Sequence, residues 1–200
     1  MKDKPTLRVI AAGCGFVMPY IVREMADFEI VGDGEAADFT VFITQDESRL
    51  SEKPSGAAGL YCPNIVGTGM TGKPMELAKA IARGRLYHIA GNGARISTVH
   101  ATDVARAVAL VYRCGGNHTV TDLADPTFEE LAEALAVRLD SRRIYRLKRR
   151  WARFLMTREL MDMITTNDLA NGSAFAAEFG FTPTPVTEYL RTHVYDDESL

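Results

Sequence analysis

Short apolar runs alternate with helically spaced apolar positions along the first part of the chain. Leu7–Ala12 is an apolar run bounded by glycine and predicts a strand, and the apolar positions from Val17 onward have the spacing of a helix. Two runs rich in β-branched and aromatic residues predict the next strands, Phe28–Val31 and Phe39–Ile43. Residues 44–59 are polar or rich in glycine and proline and show no helical period.

The middle of the chain continues this alternation. Leu60–Val66 predicts a strand, and Leu77, Ala78, Ile81 and Ala82 line one face of a predicted helix. Further short apolar runs predict strands near Leu86–Ile89, Ile96–Val99 and His118–Thr121.

The clearest helical stripe runs from Val104 to Val111, where apolar residues recur at i, i+3, i+4 and i+7. Thr102 or Asp103 is the expected N-cap of this helix, and Gly115 is the expected terminator.

The last third of the chain predicts helices. Thr127 and Glu130 have the spacing of a capping box and begin a helix with Phe128, Leu131 and Leu135 facing inward. Beyond Ser141 the pattern turns helical, and Thr184-Pro185 begins a final helix that extends to Val194.

Strands that alternate with helices predict an α/β fold with parallel crossovers. We expect a trimmed, Rossmann-like, mostly parallel sheet flanked by helices over residues 1–140. A small helical C-terminal lobe over residues 141–200 is expected to pack on it. The connection between Val31 and Phe39 has seven residues, so it is either a tight hairpin or a stretched return without a helix.

Composition adds little specificity. The chain has 200 residues, of which 46% are hydrophobic, which is typical of a globular protein. Its net charge of −3 gives no overall positive potential that would attract nucleic acid. Cys14, Cys62 and Cys114 lack metal-ligand spacing, so we expect reduced thiols, no metal and a cytoplasmic location. We expect no export signal, because the apolar stretch before Cys14 is short and contains Arg8. No segment has the roughly 18 apolar residues of a transmembrane helix.

Two segments carry a family resemblance: LYCPNIVGTGM at residues 60–70 and VHATDVA at residues 99–105. They resemble the extended short-chain dehydrogenase/reductases, the NAD-dependent epimerase/dehydratase family. The resemblance implies a Rossmann fold, an NAD or NADP cofactor and a nucleotide or nucleotide-sugar ligand. Members often pair through helices, so it also implies a possible homodimer.

The family's catalytic Tyr-x-x-x-Lys pair is absent. None of the seven tyrosines has a lysine four residues later. In the family this pair lies on a helix before the strand that corresponds to Leu60–Val66, and residues 44–59 are too few for that helix and an additional strand. We therefore expect no catalytic residues of the family type. A working enzyme remains an alternative if other residues, or a second subunit, supply the acid and the base.

The expected cofactor-binding residues lie after the first two strands. The family fingerprint G-x-x-G-x-x-G falls on Ala12, Gly15 and Met18, with Gly13 as an additional glycine. Glycines there allow a pyrophosphate to approach the backbone. The resemblance implies this set of cofactor-binding residues: Gly13, Gly15, Phe16, Val17 and Asp33. Asp33 has two open interpretations, ribose recognition or a role in the Gly-Asp-Gly turn.

The expected substrate-binding residues come from the two resembling segments and the strand between them: Asn64, Gly67, Thr68, Gly69, Met70, Arg95 and His100. Asn64 offers donors and acceptors, and the glycines permit close approach to a sugar. Arg95 suits a diphosphate, although it lies one position from the common family pattern. The alternatives are a surface turn for Asn64 and a structural hydrogen bond for His100.

A basic segment follows the predicted capping-box helix. Arg142, Arg143, Arg146, Lys148, Arg149, Arg150 and Arg153 are interleaved with Tyr145, Trp151 and Phe154. This segment is either a solvated helix face or a contact for a nucleotide diphosphate, an anionic lipid surface or a partner protein.

Overall fold

The computed structural model describes residues 4–32, 34–139 and 144–192. The strands are β1 (Thr6–Ala12), β2 (Glu29–Val31), β3 (Phe39–Thr44), β4 (Ala58–Tyr61), β5 (Ile65–Val66), β6 (Tyr87–Ile89), β7 (Val99–His100), β8 (Asn117–Thr119) and β9 (Tyr145–Leu147). The α-helices are α1 (Met18–Glu24), α2 (Gly72–Ala82), α3 (Ala101–Val111), α4 (Phe128–Arg138), α5 (Arg149–Leu155), α6 (Arg158–Thr165), α7 (Ser173–Phe179) and α8 (Val186–Thr192). Two 3₁₀ helices lie at Gly15–Val17 and Glu47–Glu52.

The main sheet has five parallel strands in the order β2-β1-β3-β4-β8. Its centre is β1 beside β3, with Val9 opposite Val41 and Ala11 opposite Ile43. Two smaller parallel pairs, β5 with β7 and β6 with β9, extend the fold beyond this sheet. The α/β class and the mostly parallel Rossmann-like sheet flanked by helices are thus confirmed.

The seven-residue connection after β2 is a stretched return. Both β2 and β3 pair with β1 in parallel, on its two sides, so the chain crosses β1 between them and forms no hairpin. Asp38, just before β3, joins the end of this connection to β1, because its carboxylate accepts hydrogen bonds from the backbone N–H and the hydroxyl of Thr6. The Arg8 side chain also donates to the Glu35 carbonyl and to Thr40 Oγ1.

The predicted strand Leu60–Val66 is in fact two strands in two sheets. β4 ends at Tyr61, and β5 begins at Ile65 after a bend at Asn64, whose φ of 46° lies in the left-handed region. The apolar run continues through the bend because both short strands are buried, and hydrophobic pattern alone does not distinguish one buried strand from two.

Three further details of the sequence prediction are wrong. The N-cap of α3 is His100, whose Nδ1 accepts a hydrogen bond from the Thr102 N–H, and Asp103 instead bonds to another segment. The same helix ends at Val111, before Gly115. The segment beyond Ser141 is not wholly helical, because β9 forms there and pairs with β6. The capping box of Thr127 and Glu130 is confirmed in both directions.

Two hydrophobic cores meet in this fold. The sheet core contains β1, β3, β4, α1 and α3 and also receives Phe175 and Phe181 from the C-terminal part. The helical core joins α2 and α4 to α5, α6 and α8. Each core therefore draws on both sides of residue 140, and the division into residues 1–140 and 141–200 stays a prediction. Among the residues that the structure describes, no helix is long and apolar enough to cross a membrane.

Candidate functional site

The order of strands reverses direction between β1 and β3. From β1 the sheet continues to β2 on one side and to β3, β4 and β8 on the other. In open α/β sheets, ligands bind in the crevice that such a reversal leaves outside the carboxyl ends of the strands. Here the crevice is bordered by the Gly13–Gly15 loop after β1 and by the segment from Gln45 after β3.

Gly13 makes the sharp bend at the end of β1. Its φ of 77° is a conformation in which side-chain-bearing residues are strained. A Cβ at this position would lie 3.7 Å from Nη1 of Arg49, so the guanidinium is the nearest group to this face of the loop. Together the bend and the cation fit an anionic group such as a diphosphate.

Arg49 is held in place by Glu52. The Glu52 carboxylate accepts from Nε at 3.0 Å and from Nη2 at 2.9 Å, which leaves the Nη1 side of the guanidinium toward Gly13. The 3₁₀ helix that carries both residues begins at Asp46, whose side chain accepts from the Ser48 N–H. The hydrogen bonds and charge of Glu52 raise the pKa of Arg49, so the guanidinium stays a cation.

The Cys14 thiol lies under the same loop. It is fully buried, and its Sγ lies 3.7 Å from the carbonyl oxygen of Ile43. Burial raises the pKa of Cys14 to about 11, an effect that the positive charge of Arg49 partly offsets. Burial likewise raises the pKa of Cys62 well above its usual range, with a smaller contribution from Cys14. These thiols are therefore protonated at neutral pH and are poor nucleophiles.

Asn64 is the centre of a polar cluster after β4. Its Nδ2 donates to the Ser97 carbonyl at 3.0 Å and to Asp168 Oδ2 at 2.6 Å. The same Asp168 oxygen pairs with Lys73 Nζ at 2.7 Å. Asn64 is 9% exposed, and its amide joins the bend after β4 to segments about 30 and 100 residues later. Its assignment to a substrate site stays a prediction.

Tyr61 borders this cluster from the end of β4. Its pKa is raised, first by burial and then by the negative charges of Asp168, Glu47 and Asp46. A phenol with a raised pKa is a weaker acid and stays protonated at neutral pH, whereas a catalytic tyrosine assisted by a lysine requires a lowered pKa. Lys73, the lysine of this cluster, forms its ion pair with Asp168.

The glycine-flanked loop Gly67–Met70 packs on the start of α1. A Cβ at Gly67 would come within 2.9 Å of the Ala101 Cβ and 3.2 Å of the Tyr20 hydroxyl. That hydroxyl accepts a hydrogen bond from the Thr68 N–H. Gly69 has a φ of 77°, and a side chain there would meet Phe16 at 3.2 Å. Met70 is buried in the helical core. The glycines thus permit contact within the protein.

Phe16 connects the expected cofactor and substrate residues. It packs against both the sheet core and the helical core, and it is the neighbour of Gly69 across the loop. Val17 beside it is fully buried in the sheet core. Gly15 begins the 3₁₀ turn and has open space where a Cβ would be. Asp33 lies outside the described residues, so its role in ribose recognition stays a prediction.

Arg95 and His100 take structural partners. Arg95 is exposed, and its Nη1 donates to the Asp125 carbonyl at 2.8 Å. His100 is buried, caps α3 and lies against the Tyr189 ring, with 3.7 Å between the ring centroids. Neither contact tests ligand binding, and both assignments to a substrate site stay predictions.

Sequence reasoning missed several residues at this crevice. Arg49, Tyr20, Asp168, Lys73 and Gln45 contribute contacts there, yet none lies in a family-like segment. Residues 44–59 lack a helical period, so their short 3₁₀ helix was not predicted. The available signal was the Asp46 side chain, a typical cap, followed by Arg49 and Glu52 at i, i+3 spacing.

Comparison with known proteins supports the fold. No family profile matches the chain, and no curated protein matches it by sequence. UDP-N-acetylglucosamine 4-epimerase from Bacillus cereus has a TM-score of 0.62 and 9% identity, over 95% of this chain and 98% of that one. A human epimerase family protein solved with NADPH has a TM-score of 0.64 and 10% identity, over 95% and 99% of the two chains.

The enzyme WbmH from Bordetella bronchiseptica, solved with NAD+, gives a TM-score of 0.64 at 13% identity, over 96% of this chain and 97% of that chain. The first two of these neighbours are described as an epimerase and an epimerase family protein, and the last two were solved with NADPH and NAD+. At such low identity the likeness shows that this chain has their fold, and it carries no residue roles.

Proposed function

We propose that this protein binds a nucleotide or nucleotide sugar in the crevice between β1 and β3 and has lost the redox chemistry of epimerases. The observation that carries the proposal is the Arg49 guanidinium beside the Gly13 bend, 3.7 Å from the position of a Cβ. A cation held by Glu52 next to a backbone bend is suited to the phosphate oxygens that all such ligands share.

A bound NAD or NADP is compatible with this site. Structures of the same fold contain NADPH or NAD+ in the human and Bordetella proteins. The one intact fingerprint glycine, Gly15, and the additional Gly13 support a phosphate contact, whereas Ala12 and Met18 replace the other two glycines. We therefore propose that affinity depends more on Arg49 than on the backbone of the loop.

The loss of catalysis rests on Tyr61 and on the short connection after β3. That connection holds the 3₁₀ helix Glu47–Glu52, in the place where the family carries its catalytic helix. Burial, and then the nearby carboxylates, raise the pKa of Tyr61. The protein is thus proposed to be a pseudoenzyme. The expectations of a cytoplasmic location and a homodimer remain part of the proposal.

A thermal-shift panel of NAD(H), NADP(H) and nucleotide sugars tests ligand binding. A ligand present at one hundred times its dissociation constant stabilises the folded state by about 2.7 kcal/mol. Arg49→Ala should weaken binding by roughly tenfold to hundredfold, because a charge-assisted hydrogen bond to phosphate is lost. Lys79→Ala is the matched control, since it removes another exposed i, i+3 ion pair far from Gly13 in sequence.

The outcomes separate the alternatives. A wild-type shift that Arg49→Ala abolishes and Lys79→Ala retains supports the proposed site. A panel without any shift contradicts nucleotide binding. Turnover of NADH or NADPH absorbance with a nucleotide sugar contradicts the pseudoenzyme and supports a working epimerase, dehydratase or reductase.

A further inference from the structure

The outward face of α5 is apolar. Phe154 is 82% exposed, Trp151 55% and Leu155 53%, although a helix face toward water ordinarily carries polar side chains. Ala152 is fully buried and marks the inward side of the helix. Because each residue turns the helix by roughly 100°, Phe154 lies roughly 200° from Ala152 and faces away from the protein. Trp151 and Phe154 neighbour each other, with ring centroids 6.5 Å apart.

Exposed cations surround these aromatic side chains. Lys148, Arg149, Arg150 and Arg153 are all exposed, and the Arg150 guanidinium lies 5.6 Å from the Trp151 ring centroid. The acids on the neighbouring elements are few. Asp162 pairs with Arg158 at 3.6 Å, Glu76 pairs with Lys79 at 2.8 Å, and Glu159 lies on the wall of the adjoining groove. The face is therefore positive in a chain whose net charge is −3.

An open groove of about 520 Å³ continues the apolar surface beside α5. Leu155, Leu160 and Ala80 contribute its apolar wall, and Arg83 and Arg85 also border it. The surface formed by α5, α6 and the end of α2 thus carries both apolar side chains and cations.

We propose that this face, defined by Lys148–Leu155 with Arg83 and Arg85, is a docking site for an anionic phospholipid membrane surface. Aromatic side chains on a short amphipathic helix insert at the level of the headgroups, and flanking cations meet the lipid phosphates. Charge complementarity selects this occupant, because a negatively charged lipid surface satisfies the apolar and the cationic groups together. The proposal goes beyond nucleotide binding and uses none of the residues of the crevice.

Vesicle co-sedimentation of the full chain tests the proposal. We expect binding to phosphatidylcholine vesicles that contain phosphatidylglycerol, little binding to phosphatidylcholine alone, and release at high salt. Replacing Trp151 and Phe154 by serine should weaken binding at least tenfold. Each of Arg149→Glu and Arg153→Glu should weaken it by about fivefold or more, given the usual contribution of one cation near an anionic surface.

A matched control is available on α1. Val22 is 51% exposed and Arg23 is also exposed, so Val22→Ser with Arg23→Glu makes the same kind of change on another face. The control variant should bind vesicles like the wild type, and circular dichroism should show that every variant is folded. Equal binding to neutral vesicles, no binding at all, or full binding by the α5 variants would overturn the proposal. So would a wild-type dimer in light scattering that the α5 variants convert to monomers without any vesicle binding by the wild type.

Discussion

The two ends of the crevice at the carboxyl edge of the sheet use their polar groups differently. After β4, the Asn64 amide, the Asp168 carboxylate and the Lys73 ammonium are bonded to one another or to the Ser97 carbonyl. Beside the loop after β1, the Arg49 guanidinium donates to Glu52 through Nε and Nη2, and its Nη1 faces Gly13. The first cluster joins distant segments of the fold, whereas the second is where we propose that a ligand binds.

Residues that match the family segments and residues that do not match them make different kinds of contact in this protein. Asn64 and Gly67 match the family segments and make contacts within the protein, and their assignment to a substrate site stays a prediction. Arg49 matches no motif and lies at the reversal of the strand order. Substitutions after β4 should therefore reduce stability, and substitutions beside Gly13 should reduce ligand affinity.

The largest stability effect is expected for Asn64→Ala. It removes one buried and one partly buried hydrogen bond and places alanine at a φ of 46°, so the free energy of unfolding should fall by about 3–4 kcal/mol. Urea denaturation measures this. Asn64→Gly keeps the backbone conformation accessible and should recover about 1 kcal/mol of the loss. If Asn64→Ala is as stable as the wild type, the cluster does not hold the bend.

A smaller and pH-dependent effect is expected at Cys14. The unfolded thiol releases its proton near the reference pKa of 9.0, but burial keeps the folded thiol protonated to about 11. Between pH 9 and about pH 11 the unfolded state therefore binds fewer protons than the folded state. The free energy of unfolding falls there by about 1.4 kcal/mol per pH unit as the pH rises. Below pH 9 the Cys14 contribution is constant.

Cys14→Ala isolates that contribution from the other groups that titrate at high pH. The difference in unfolding free energy between wild type and variant should be constant below pH 9 and should shift by about 2–3 kcal/mol in favour of the variant by pH 11. A pH-independent difference would contradict a buried, protonated Cys14.

The smallest stability effect is expected for Arg49→Ala. The ion pair with Glu52 is exposed, and exposed pairs contribute little to folding. Its urea midpoint should therefore match that of the wild type, while nucleotide affinity falls. If Arg49→Ala lowers the free energy of unfolding clearly and leaves nucleotide affinity unchanged, Arg49 stabilises the fold and does not bind the ligand.

Much of the fold could be predicted because its signals are local. The apolar runs of β1 and β3, the stripe of α3 and the capping box of α4 each depend on residues a few positions apart. The crossing between β2 and β3 could not be chosen over a hairpin, because both interpretations fit a connection of seven residues. Its direction depends on pairing with β1, about 30 residues away.

In the candidate site too, some residues could be predicted from local sequence signals and others could not. Gly13 could be found from sequence, because the bend after β1 has a positive φ that favours glycine. The N-cap of α3 was misassigned because the preference for Thr or Asp at caps is statistical, and here the His100 ring occupies that position. Asp103 is instead buried and accepts the Thr184 N–H, a contact across 81 residues.

Sequence by itself determined the α/β class, the positions of the main strands and helices and the absence of the Tyr-x-x-x-Lys pair. These follow from side-chain periodicity and from residue identity, which need no knowledge of distant contacts. Tertiary structure decided that Asn64 bonds to Ser97, that Arg49 lies beside Gly13 and that Trp151 and Phe154 on α5 are exposed. Each of these depends on which distant segments the folded chain brings within a few ångströms, because hydrogen bonds and burial are determined by distance in space.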